Sequence, residues 1–144
     1  MTDKYTIIKE NFDTITGITT VVISTHLGHF EGVTAIDDID AEYPSIYQGY
    51  EIALAKALRK FAQAAVRILK HEVKTLSNMV SETFGHGPVD AKSHPVKVLL
   101  ATVKMKKEEL KLWQVRIENI TTTIKNRIIT RDKLVAKYNK DKNN

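Results

Sequence analysis

The chain has 144 residues, 42% of them apolar and 27% charged, with 22 Lys+Arg against 17 Asp+Glu: one domain with a buried core, and too few residues for two ordinary ones. This apolar content excludes a wholly disordered chain, and no run approaches the ~20 apolar residues of a membrane span. Zero cysteines exclude disulfides, thiolate zinc sites and cysteine nucleophiles.

The opening MTDKYTIIKE carries Asp3 and no apolar core region, so it does not read as a secretory signal, and a cytoplasmic protein is expected. The net charge of +5 is unevenly spread. Residues 1–45 hold two cations and eight anions, whereas the remainder holds 20 cations and nine anions. Such a dipolar chain attracts polyanions, small phosphates or its own copies.

The first 36 residues predict an antiparallel β-meander. YTIIKENF (5–12) leads into a turn-like cluster ending at Gly17, and ITTVVIST (18–25) is almost entirely β-branched. A short connection around Gly28 leads to FEGVTAI (30–36), in which Gly32 marks either a bulge or a close backbone approach. The acidic stretch 37–45 (DDIDAEYPS) lacks the glycine and terminal glutamate of a calcium loop and reads as a solvated linker. Ser45 with Gln48 three residues on suggests a capping box.

A helix is predicted from Ile46 to Thr83, with Tyr47, Tyr50, Leu54, Leu58, Phe61, Ala65, Ile68, Leu76, Met79 and Thr83 at three- and four-residue steps. Gly85, Gly87 and Pro88 end it. After a loop over 84–95, a second helix is predicted over 96–138. Leu99, Val103, Leu110, Trp113, Ile117, Ile120, Ile124, Ile128, Val135 and Tyr138 form its seam, and Lys106 and Arg131 interrupt it. Residues 139–144 read as a frayed tail. The expected architecture is a single α+β domain, a β-meander followed by a long antiparallel αα-hairpin with coiled-coil-like packing. The neighbouring pairs Leu112–Trp113 and Ile128–Ile129 widen the apolar face beyond one seam, so a homodimer or larger assembly is expected.

No catalytic signature appears. The histidine pairs His26/His29 and His86/His94 lack a carboxylate or cysteine to complete a metal set, and no H-E-x-x-H, G-x-S-x-G, P-loop or G-x-G-x-x-G motif occurs. Neither an enzyme nor a bound metal or cofactor is therefore expected. The loop 84–95 (FGHGPVDAKSHP) is long for a helical hairpin and combines Phe84, two histidines and Lys92, a set able to stack on a base and pair with phosphate. Basic residues line both helices, but Glu72, Glu108, Glu109 and Glu118 interrupt them, which makes non-specific nucleic-acid binding a lesser alternative.

The order of elements carries a resemblance. A meander (ITTVVISTHLGHFEGVTAI), an acidic linker, an alanine-rich basic helix (ALAKALRKFAQAAV), a loop opening at Phe84 and a second long helix resemble small proteins of Gram-positive phages. Among these, the layout is similar to the first described family of Thoeris anti-defence sponges. The resemblance implies a phage protein in the host cytoplasm that sequesters a cyclic ADP-ribose-type or oligonucleotide immune signal without cleaving it. It further implies a ligand pocket shared between protomers, with Phe84 as the loop aromatic, Arg59 as the first-helix arginine, Lys92 as a loop cation and Arg116 as the nearest second-helix arginine. His94 stands where the family pattern has a polar amide. Phe84 and Arg59 are 25 residues apart on one helix, about 37 Å, so only two chains running antiparallel could bring both to one ligand. The alternative function is an accessory protein that binds a host protein through its helical face.

Overall fold

The computed structural model describes residues 1–35, 43–85 and 93–142. It is α+β: β1 (Thr6–Phe12), β2 (Ile18–Thr25) and β3 (Gly28–Ala35) form an antiparallel sheet in the order β1-β2-β3, followed by the long helices α1 (Tyr43–Gly85) and α2 (His94–Lys142). The stretch expected as an acidic linker lies, from 36 to 42, outside the described residues, as do 86–92 of the interhelical loop.

The β-branched run of β2 supplies the strand at the centre of the sheet. Its side chains alternate, with Thr19, Val21 and Ile23 buried and the residues between them less so. The β1–β2 turn is held by Asp13, whose Oδ1 accepts hydrogen bonds from the backbone N–H groups of Ile15 (2.8 Å) and Thr16 (3.3 Å). These donors hold the Asp13 carboxyl below its ordinary 3.8. The turn is therefore favoured above that value, and the gain is lost as the pH falls through the depressed one. Gly17 ends the turn with φ 72°, the left-handed region that suits glycine. The β2–β3 hairpin turns through His26 and Leu27 and closes at Gly28, φ 114°.

Of the two readings of Gly32, close approach is the one realised. A Cβ built on Gly32 would lie 1.7 Å from the carbonyl oxygen of Ala53 and 2.7 Å from the Ala57 nitrogen. The α1 backbone thus rests directly on β3, with Ala53 and Ala57, one turn apart, facing the sheet. The register irregularity lies instead in β1, between Ile7 and Lys9.

Helix α1 begins at Tyr43, three residues before the expected start, so Ser45 falls inside the first turn rather than at the cap. Gln48 is used elsewhere: its Oε1 accepts a hydrogen bond from Arg127 Nη1 at 3.2 Å. The buried face of α1 also differs from the expected stripe. Tyr47, Ile68 and Met79 are exposed, while Ile52, Ala53, Ala57, Ala62 and Leu69 are almost fully buried. A stripe read at helical spacing assumes one partner, but α1 packs against both the sheet and α2. Along α2, Val103, Trp113 and Ile124 are buried as expected. This helix extends through Lys142, beyond the expected end at Tyr138, and begins at His94, with the Ser93 carbonyl accepting the Lys97 N–H at 3.0 Å.

Phe61 ties the layers together. Its ring stacks on Phe30 of β3 (centroids 5.7 Å apart) and meets Trp113 of α2 (5.3 Å) and His26 of the hairpin (5.8 Å) edge-on. Gly32→Ala should force the helix off the sheet and cost about 3 kcal/mol or more. Gly85→Ala, whose added Cβ would meet nothing within 4 Å, should change stability by less than about 0.5 kcal/mol. Urea unfolding midpoints of the two variants compare these costs directly.

Candidate functional site

The five residues singled out from the sequence fall in different parts of the molecule. Phe84 lies in the last turn of α1 and is 44% exposed. His94 is exposed at the start of α2, so both flank the far end of the hairpin. Lys92 lies outside the described residues. Arg59 is half-buried in the part of α1 that covers the sheet. Both Phe84 and Arg59 belong to the unbroken α1, which keeps them about 37 Å apart within one chain.

Arg116 is engaged within its own chain. Its guanidinium lies 4.5 Å above the Trp113 ring, and Nη2 is 3.2 Å from Asp3 Oδ2. The N-terminal amino group reaches Glu109 on the same helix, so the segment before β1 is pinned along α2. Trp113 meets Phe61 in the core and carries Arg116 over its ring, which makes this arginine part of the framework that seats the indole.

The two charges that break the α2 seam also have defined roles. Lys106 Nζ sits 3.0 Å from Glu72 Oε2 on α1 and 3.8 Å from Glu109. Hydrogen bonding to Glu72, followed by the charges of Glu72 and Glu109, raises the Lys106 pKa above its ordinary value. Arg131 is buried at 8% exposure and donates from Nη1 to Thr34 Oγ1 at 2.9 Å. It thereby anchors the C-terminal part of α2 to β3.

A cationic group that the sequence reading did not assemble lies where α1, α2 and β3 meet. Lys56 donates from Nζ to the Val33 carbonyl at 3.1 Å, on the free edge of β3. Burial lowers the Lys56 pKa, and the charges of Arg131, Arg59 and Lys60 lower it further. The spacing of Lys56, Arg59 and Lys60 on one helix was legible. The approach of Arg131, 72 residues beyond Arg59, was not.

The helices also carry an outward apolar face. Val98, Met105 and Val115 each lie two residues beyond a buried position (Val96, Val103 and Trp113), about 200° round the helix, and are 49%, 60% and 43% exposed. Leu112 at 63% and Ile129 at 44% extend the stripe. Open clefts of about 640 Å³ beside Tyr5, Ser24 and His26, about 450 Å³ beside His71 and Thr102, and about 400 Å³ beside Leu100 and Lys107 include none of the five candidate residues.

Among the described residues, no group of three or more His, Asp or Glu is close enough to hold a metal ion, and no helix is long and apolar enough to cross a membrane. No protein-family model, no curated protein and no solved structure matches the chain.

Removing the Arg116 guanidinium uncovers the indole and frees the N-terminal segment. Arg116→Ala should lower stability by about 1 kcal/mol and shift Trp113 fluorescence to the red, both readable in one chemical denaturation series.

Proposed function

We propose that the protein is a non-catalytic binding protein that works as an assembly of helical hairpins and holds a cyclic nucleotide signal between copies without cleaving it. The resemblance to Thoeris anti-defence sponges suggests an ADP-ribose-type or oligonucleotide ligand and a phage protein acting in the host cytoplasm. The supporting observation is the separation of the candidate groups along α1, with an exposed aromatic in its last turn and a cationic group about 37 Å back along it. One chain cannot close these groups on a single ligand, whereas two antiparallel chains present the Phe84 end of one to the Arg59 end of the other. Stacking supplies affinity for a base and the cations supply affinity for phosphate.

The outward stripe of Val98, Met105, Leu112, Val115 and Ile129 favours a second reading, in which α2 docks on a host protein. Self-association through the same stripe is what the first reading requires, so the two make opposite demands on purified protein.

Light scattering of the purified chain at micromolar concentration should therefore give at least a dimer, while a monodisperse monomer favours the docking reading. In a thermal-shift screen of cyclic nucleotides, a ligand at 100 times its dissociation constant adds about 2.7 kcal/mol. Phe84→Ala and Arg59→Ala should each weaken that ligand about tenfold or more with the assembly intact. Mixing the two variants should restore some sites after subunit exchange, because one shared pocket then carries both lesions and its counterpart neither. A wild type that binds no cyclic nucleotide overturns the sponge reading, and exchange without recovery overturns the shared pocket.

A further inference from the structure

The junction of α1, α2 and β3 holds more positive charge than the described residues around it balance. Lys56 and Arg131 reach adjacent residues of β3, one taking the Val33 carbonyl at 3.1 Å and the other the Thr34 hydroxyl at 2.9 Å. Arg59 and Lys60 add their fields to the same place. Nearby, Arg127 is served by Gln48 and by Glu51 at 4.0 Å. Arg131 has the exposed Asp132 carboxylate 3.9 Å from Nε, beyond hydrogen-bond range. That Nε is buried, and among the described residues it has no hydrogen-bond partner.

An unpaired donor on a buried guanidinium is costly, and a lysine drawn against it by a backbone carbonyl adds repulsion. Anchoring α2 accounts for one nitrogen of Arg131, and covering the β3 edge accounts for one proton of Lys56. Neither role calls for the two cations to share one corner with Arg59 and Lys60. An anion with several oxygens would relieve the repulsion and accept from the donors left over: an ammonium offers three, and a guanidinium five in a planar fork.

We infer that Lys56 and Arg131, with Arg59 and Lys60 at their rim, form a binding site for a phosphate or pyrophosphate group at the end of β3. The inference deepens the proposed function by naming the groups that would take the ligand's phosphates. It stands on the geometry of one chain, so it can hold for a phosphate ligand of another kind. Thr34 is the positioning residue: its hydroxyl sets the direction of the Arg131 fork.

The probe is inorganic pyrophosphate, titrated calorimetrically into the full chain at constant ionic strength, with sodium chloride as the reference salt. The wild type should bind it saturably at no more than one per chain. Lys56→Met should weaken binding about tenfold or more, and Arg131→Lys, which keeps the charge but loses the planar fork, should weaken it measurably. Lys70→Met removes an exposed cation about 21 Å further along α1 and should leave binding unchanged. Circular dichroism on each variant separates loss of binding from loss of fold; if Arg131→Lys unfolds, Lys56→Met against Lys70→Met decides. The inference is overturned if pyrophosphate acts no differently from chloride, or if Lys56→Met binds as well as wild type. It is also overturned if Lys70→Met loses as much affinity as Lys56→Met, since the effect would then be diffuse charge. Cyclic-nucleotide binding that survives Lys56→Met with no pyrophosphate binding sinks this site alone. Pyrophosphate binding without any cyclic-nucleotide binding sinks the sponge reading alone.

Discussion

The contact between Gly32 and the Ala53 carbonyl sets the geometry of everything else. With no side chain on β3 at this point, α1 drops onto the strand until backbone meets backbone. Small residues on the helix, Gly49, Ala53 and Ala57, make the same approach possible over two turns. Once α1 is that low, Phe61 lands two turns beyond Ala53, between the β2–β3 hairpin and α2, where it contacts Phe30, His26 and Trp113. A bulkier residue at position 32 would lift the helix and open that cluster.

The position of α2 follows from the aromatic cluster at one level and from Arg131 at another. Trp113 fixes the middle of the helix against Phe61, and Arg131 reaches past α1 to Thr34. Two attachments along one rigid helix remove the freedom to slide or rotate. This explains why Arg131 interrupts the apolar seam: its long side chain reaches the strand, where the Thr34 hydroxyl accepts from it. Lys106 interrupts the seam opposite α1, and there the nearest carboxylate is that of Glu72.

The same closeness gathers positive charge at this corner. A helix seated low on a sheet edge carries its flanking lysines and arginine towards the strand. Arg131, brought from the far end of the chain to hold α2, joins them. The far end of the hairpin, with Phe84 and His94, is apart from this cluster because α1 is continuous. Within one chain, Phe84 and these cations therefore do not meet. The outward stripe on α2 leaves Val98, Met105 and Leu112 exposed.

Local chemistry made much of this legible from the sequence. The β-branched run of residues 18–25, the glycines at turns and the long helical periodicities specify a three-stranded meander and two helices, because propensity and hydrophobic period act over a few residues. Gly32 signalled either a bulge or an approach, since a missing side chain is visible in sequence but its neighbour is not. Only tertiary structure decided that the neighbour is the α1 backbone, and that Arg116 sits over Trp113 and beside Asp3. It also decided that Arg131 stands with Lys56. The buried face of α1 was read in part for the same reason: Phe61 and Ala65 are buried but Ile68 and Met79 are not, because its width depends on how many partners a helix has, and that number is set by contacts between residues far apart along the chain.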